Sequence, residues 1–333
     1  MTELQPDHTD AILGGQNSQP VNALVLGGGI AGAKLQIANE WGMSYELVDR
    51  LSKTHKVFSF ETVKTNDIGE IVKRVKRHAF YYIENLENDV ILDMVYIPAG
   101  SFMMGSPQDI SNSDVSEGKL STERPQHLVM IPAFYMAKYP TTQEQYQAII
   151  LKNPSNFKGN KRPVEQVSGF EAKQYCQNLM RRTKKSYILP SESQWEYACR
   201  SGTNTLFYCG DTISNDLANY HKKFCYKNYP SGLNRPQTTE VDKFHPNNFG
   251  LYDVHGNVLE WCTGNWHENY QNAPTDERPW MNVSSHPGYD SMYPHVLRGG
   301  SWCVESDDCR SASRTSGFQI PSHVGFRVAC LAD

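Results

Sequence analysis

The chain has 333 residues, 39% of them hydrophobic and 20% charged, with a formal net charge of −4 at pH 7. This is globular composition, not that of a disordered chain, and the acidic balance argues against a nucleic-acid-binding surface, which needs a basic excess. No window approaches the roughly 20 apolar residues of a bilayer span, so neither nucleic acid nor membrane is an expected partner.

Residues 1–20 are polar and turn-rich, which predicts a mobile tail. Met1 to Asp10 has no basic stretch followed by an apolar one, so no signal peptide is read and a cytoplasmic location is expected. Residues 21–87 form a predicted small extension. Ala23-Leu24-Val25-Leu26 reads as a strand, Gly27-Gly28-Gly29-Ile30-Ala31-Gly32 fits Gly-x-Gly-x-x-Gly, and a helix is predicted from Ala33 to Trp41, with Asp49 beyond it. A dinucleotide fingerprint has this form. A glycine turn before a short helix explains it better, because no further βα units follow. Instead 57–63 and 70–83 alternate apolar and polar residues around Asn66-Asp67-Ile68-Gly69, a β-hairpin pattern. The basic run from Lys73 to His78 lies in that hairpin and reads as a solvated strand face.

The main domain is predicted over 88–333. Val90–Ile97 and His127–Ile131 read as strands, with a turn at Pro98–Phe102. Thr141-Thr142 reads as a helix N-cap with Glu144 and Gln145 as capping-box acceptors. A helix over Ser168–Arg182 places Ala172, Tyr175, Cys176 and Leu179 on one buried stripe. A third starts at Ser191, closes its box with Gln194 and ends at Gly202. After Gly202 the sequence is rich in Gly, Pro, Asn, Asp and aromatics, without helical periodicity. Such a stretch is ordered only if short strands and bound ions or ligands tie its loops down.

Four segments of that tail carry chemistry. In Gly250 to Trp261, Asp253 and Glu260 bracket a glycine turn. Two carboxylates with carbonyls between them make an oxygen set that suits a hard cation such as Ca²⁺, and spacing equally allows acids that cap backbone N–H groups. Arg298-Gly299-Gly300-Ser301-Trp302, Cys309-Arg310-Ser311-Ala312-Ser313-Arg314 and Gly325-Phe326-Arg327-Val328 are dense in arginine. These arginines read as internal ion-pair partners or as the lining of a site for carboxylate or sulfate. The eight cysteines include no Cys-x-x-Cys, so no structural zinc site is expected.

Together with Pro98 to Gly105 and Leu189 to Ala198, these motifs occur in an order that resembles the formylglycine-generating enzyme family, the sulfatase-modifying factor domain. The resemblance covers about 88–333. It implies an α+β, loop-rich, C-type-lectin-like fold with few short helices and short antiparallel strands. It also implies a structural calcium site using the Asp253 side chain, the Gly256 and Val258 carbonyls and Glu260, and a second site at Asn219-Tyr220, for which the following loop shows no obvious acid.

Enzymes of the family resemble one another in a copper-binding cysteine pair after the Gly-Gly-Ser turn, where soft thiolates suit Cu(I). Here the candidates are Cys303 and Cys309, but they stand six apart (309 minus 303) where those enzymes have five. A related branch places a His-x-x-x-His-x-Glu iron site before the domain, and no such motif precedes Asn88. The frame of Arg298 to Trp302, Cys309 to Ala312 and Gly325 to Val328 resembles more the variable proteins of diversity-generating retroelements, which implies a display scaffold. Trp302, Val304, Glu305, Asp307, Asp308, Ser313, Phe318, Ile320 and His323 are then the expected contacts for a protein or peptide ligand. A copper-dependent oxidase acting through Cys303 and Cys309 is the alternative.

Overall fold

The computed structural model describes residues 30–110, 115–221, 235–282, 294–317 and 322–332. Two helices, α1 (Ile30–Trp41) and α2 (Tyr45–Thr54), lead into a long hairpin of β1 (Lys56–Thr65) and β2 (Ile71–Asn85). Then come β3 (Ile91–Ile97), β4 (Gly100–Met104), α3 (Glu117–Thr122), β5 (His127–Ile131), β6 (Phe134–Ala137), α4 (Gln143–Ile150), α5 (Gly169–Thr183), β7 (Tyr187–Ile188) and α6 (Glu192–Arg200). The tail adds β8 (Leu259–Asn265), β9 (His295–Arg298), a 3₁₀ turn at Ser306–Cys309, β10 (Arg314–Gly317), β11 (Val324–Gly325) and β12 (Ala329–Leu331). The class is α+β.

Local chemistry sets the helices. Thr142, Ser168 and Ser191 each accept from the backbone of the third residue on, while Gln145, Glu171 and Gln194 reach back to complete capping boxes. α5 buries Ala172, Tyr175, Cys176 and Leu179. α6 stops because Ser201 turns left-handed (φ 44°) and Gly202 follows at φ 86°.

The main sheet has the order β1-β2-β3-β6-β12-β7, and a four-stranded sheet has the order β10-β9-β8-β11. The tail therefore feeds both: β12 lies between β6 and β7, and β11 pairs in parallel with β8. The boundary placed at Asn88 falls in a tight turn, since Asn85 pairs with Ile91 and the hairpin continues the domain's own sheet. Phe60, Val63 and Ala79 of that hairpin sit in the same apolar cluster as Trp195, Phe249 and Leu251. On its other face, Phe80 packs with Ile37, Val48 and Leu51 of α1 and α2.

Gly27, Gly28 and Gly29 lie outside the described residues. Asp49, the ribose candidate, sits in α2 and pairs with Lys53 at 2.8 Å and Lys34 at 3.6 Å. The turn expected at Pro98–Phe102 is in part strand: Gly100–Met104 pairs with Ile131–His127. No helix among the described residues is long and apolar enough to cross a membrane.

Candidate functional site

The tail is fastened by four arginines, each set on a carboxylate distant from it in sequence. Arg310 makes a two-pronged contact with Glu123 (2.7 and 2.9 Å), and Arg314 does so with Glu192 (2.7 and 2.9 Å). Arg327 grips Glu260 (2.8 Å), and Arg298 pairs with Glu196 while also donating to the Ala312 and Ser311 carbonyls. Arg298, Arg310 and Arg327 are wholly buried. Burial alone would raise the Glu196 pKa, but the Arg200 and Arg298 guanidiniums outweigh it and hold the carboxyl below its usual value. The arginines are thus internal partners and do not line an anion site. A guanidinium's planar fork matches a carboxylate, which fixes geometry as well as charge.

The oxygen-rich turn is built around Gly256. Its φ is 78°, and a Cβ there would lie 2.3 Å from the Asn219 carbonyl oxygen. Only glycine permits this approach. Asn219 and Gly256 form a bridge, and Asn257 N–H donates to the Asn219 carbonyl at 2.7 Å. The two expected calcium sets therefore share one backbone contact.

Asp253 is 7% exposed, and among the described residues its carboxylate accepts two long hydrogen bonds, from Asp242 N–H and the Asn257 amide, each 3.3 Å. Burial pushes its pKa up to about 7, with Arg327 opposing. The Asn219 Oδ1 atom is fully buried, with no hydrogen-bond partner among the described residues. A poorly satisfied carboxylate and an orphaned amide oxygen fit a hard cation with oxygen ligands. Glu260 fits less well, because both its oxygens are held by Arg327 and Trp195 Nε1 donates to one of them at 2.7 Å. The Gly256 carbonyl accepts from Val258 N–H (2.9 Å) and the Tyr220 carbonyl from the Asn215 amide (3.1 Å). Among the described residues no group of three His, Cys, Asp or Glu side chains converges as a metal cluster.

The cysteine pair is poorly placed for copper chemistry. Cys309 ends the 3₁₀ turn with no exposure, its sulfur 3.5 Å from the Glu305 carbonyl oxygen. A Cβ at Gly300 would lie 2.3 Å from that sulfur, which is why the Gly-Gly turn must be bare there. Cys303 is half-buried, 3.4 Å from the Ser301 hydroxyl. Burial pushes both thiols up in pKa, and Asp308 pushes Cys309 further. A thiol poised to react before any metal binds has the opposite environment. Cys309 is therefore corrected from a candidate reactive thiol to a core side chain.

The expected ligand contacts divide. Trp302, Val304, Glu305, Asp307, Asp308 and His323 are partly exposed. Asp308 pairs with Lys119 at 2.7 Å. Ser313 is 5% exposed and its N–H donates to the Arg310 carbonyl, so it lies beneath the surface and is not a contact. Phe318 and Ile320 lie outside the described residues. Thr315 and Ser316, within the 303–324 stretch expected to form the display surface, are exposed on β10, and Phe157, which the sequence did not single out, meets the Trp302 ring edge-on at 5.3 Å. Nothing in the sequence links Phe157 to Trp302.

A loop-rich α+β core with its tail pinned by arginine–carboxylate pairs defines a domain of the formylglycine-generating-enzyme type. Residues 81–332 match the family described as sulfatase-modifying factor enzyme 1-like domain, and the chain belongs to that family. The formylglycine-generating enzyme of Mycobacterium tuberculosis is 33% identical over 180 residues, covering 51% of this chain and 57% of that protein, so the chain spans little more than half of that relative. Among solved structures, Treponema denticola variable protein 1 superposes with a TM-score of 0.62 at 25% identity, covering 76% of this chain and 99% of that one. PvdO from Pseudomonas aeruginosa superposes with a TM-score of 0.62 at 27% identity, covering 75% and 98%.

Proposed function

We propose that this domain is a calcium-stabilised scaffold that presents the 302–308 loop, with Thr315, Ser316 and His323, to a protein or peptide ligand. The observation that carries this reading is the contrast within the 3₁₀ turn: Ser306 and Cys309 are buried while Asp307 and Asp308 stand partly open. Side chains on such a loop can vary without disturbing the core. The likeness to Treponema denticola variable protein 1 supports it. The test is selection of ligands from a displayed peptide library, followed by titration of the best binder into wild type, Trp302→Ala and Glu305→Lys. Loss of at least tenfold in both variants is expected at unchanged melting temperature. Unaltered affinity in both removes the 302–308 loop from the ligand site.

A second reading is copper-dependent oxidation of a substrate cysteine, favoured by the 33% identity to the mycobacterial enzyme. Turnover of a cysteine peptide with added copper, present in wild type and lost in Cys303→Ala, would establish it. Turnover that persists in Cys303→Ala would overturn this reading.

A further inference from the structure

A cleft of about 340 Å³ opens between the end of α2 and the turn joining α5 to β7. It shares no lining residue with the 302–323 surface. His55 comes from the segment before the matched family region at 81–332, while Tyr82, Tyr135, Lys184, Lys185 and Ser186 come from within it. The cleft exists because α2 folds back over the sheet, placing His55 against Tyr135 with rings stacked (5.4 Å, 4°) and a 2.9 Å hydrogen bond between Nε2 and the hydroxyl. Tyr82 meets the Tyr135 ring edge-on at 4.9 Å, which completes an aromatic wall.

The mouth carries two lysines, one of them compensated by a carboxylate. Lys185 lies 4.2 Å over the Tyr82 ring and is held by Glu84 at 2.6 Å. Lys184 stands exposed at the left-handed end of α5, without a carboxylate partner among the described residues. None of the described residues that line the cleft is acidic. The end of α5 contributes about half a negative charge that fades within a turn. The full ammonium of Lys184 on its long stem exceeds it, and Ser186 adds a hydroxyl donor. Volume falls at the low end of small-molecule sites, about 300–1,000 Å³, where apolar walls and a few placed polar groups are the usual composition.

We propose that this cleft binds a small anion carrying a planar ring, such as an aryl carboxylate, with the ring against His55, Tyr82 and Tyr135 and the anionic group on Lys184 and Ser186. Calorimetric titration of the full chain with 1-naphthoate tests it, with 1-naphthalenemethanol and inorganic phosphate as the neutral and ring-free probes. Saturable 1:1 binding of naphthoate is expected, at least tenfold tighter than either probe. Lys184→Glu should weaken it at least tenfold, and Ser186→Trp, also at an exposed position, should abolish it by filling the cleft. Trp302→Ala should leave it unchanged. No saturable binding, equal affinity for the neutral alcohol or for phosphate, full affinity in Lys184→Glu, or loss in Trp302→Ala each overturns the proposal.

Discussion

The imidazole of His255 donates from Nδ1 to the Cys309 carbonyl at 2.7 Å. The proton position follows from the other nitrogen: Nε2 lies 3.0 Å from the Tyr208 backbone N–H, which can only donate, so Nε2 must accept. The ring is 3% exposed and stacked on Tyr208 (5.3 Å, 5°). A residue of the oxygen-rich turn thereby holds the backbone at the end of the exposed 302–308 loop.

His255→Ala removes both bonds and leaves a buried donor, a buried acceptor and a cavity. A loss of about 2–4 kcal/mol is expected in urea unfolding. Hydrogen exchange should also rise at the Tyr208 amide. If that amide keeps its wild-type protection, the proposed strut is not what holds the loop.

The calcium reading makes a separable claim. With Asp253 buried and poorly hydrogen-bonded, added Ca²⁺ should raise the melting temperature of chelator-treated protein, because a ligand that binds only the native state stabilises it by mass action. Asp253→Asn should remove that response, and Asn219→Ala should reduce it. Thermal scans with EGTA and with millimolar Ca²⁺ check this. An unchanged Ca²⁺ response in Asp253→Asn rules this carboxylate out as a ligand.

What the sequence made legible was local. The α5 stripe and the capping boxes at Thr142 and Ser191 are encoded within four to seven residues, and the structure places them as read, while the Ser168–Glu171 box went unread. The arginines were legible as a choice between internal pairing and an anion site, and their partners were not. Arg310 finds Glu123 across 187 positions, Arg314 finds Glu192 across 122, Arg298 finds Glu196 across 102 and Arg327 finds Glu260 across 67. No periodicity spans such distances. β4 was hidden for another reason: Pro98-Ala99-Gly100 reads as a turn, and the strand is recognised only once Met103 pairs with Leu128. The same limit concealed Phe157 beside Trp302.

The Arg310–Glu123 pair is closed off from water, which decides the outcome of its mutation. Removing one partner strands a buried charge, so Glu123→Leu and Arg310→Met should each cost about 3–5 kcal/mol. The double variant Glu123→Leu with Arg310→Met should cost less than the sum, because two apolar groups no longer demand solvation. Chemical denaturation of all four species provides the cycle. Simple additivity of the two single losses rejects the pair as a coupled unit.

Glu165 provides a pH test away from the proposed calcium ligands. Its Oε1 accepts from the Asn156 and Phe157 N–H groups, the latter at 2.9 Å, while Oε2 is buried with no hydrogen-bond partner among the described residues. Burial raises its pKa, and the two backbone bonds oppose without cancelling the effect. A carboxyl whose pKa is higher folded than unfolded contributes stability that is fully present below the unfolded value of 4.5. That contribution is lost as pH rises through the higher folded value. Glu165→Gln keeps an oxygen for the Asn156 and Phe157 amides and cannot ionise. Relative to this variant, wild type should therefore lose ground in urea midpoint between pH 4.5 and pH 7, and at pH 7 the substitution should be neutral or mildly stabilising. A midpoint difference that stays constant across this range, or a variant that is less stable by more than about 1 kcal/mol at pH 7, would show that the ionised carboxylate has a partner and that the buried oxygen is not the liability inferred from its surroundings.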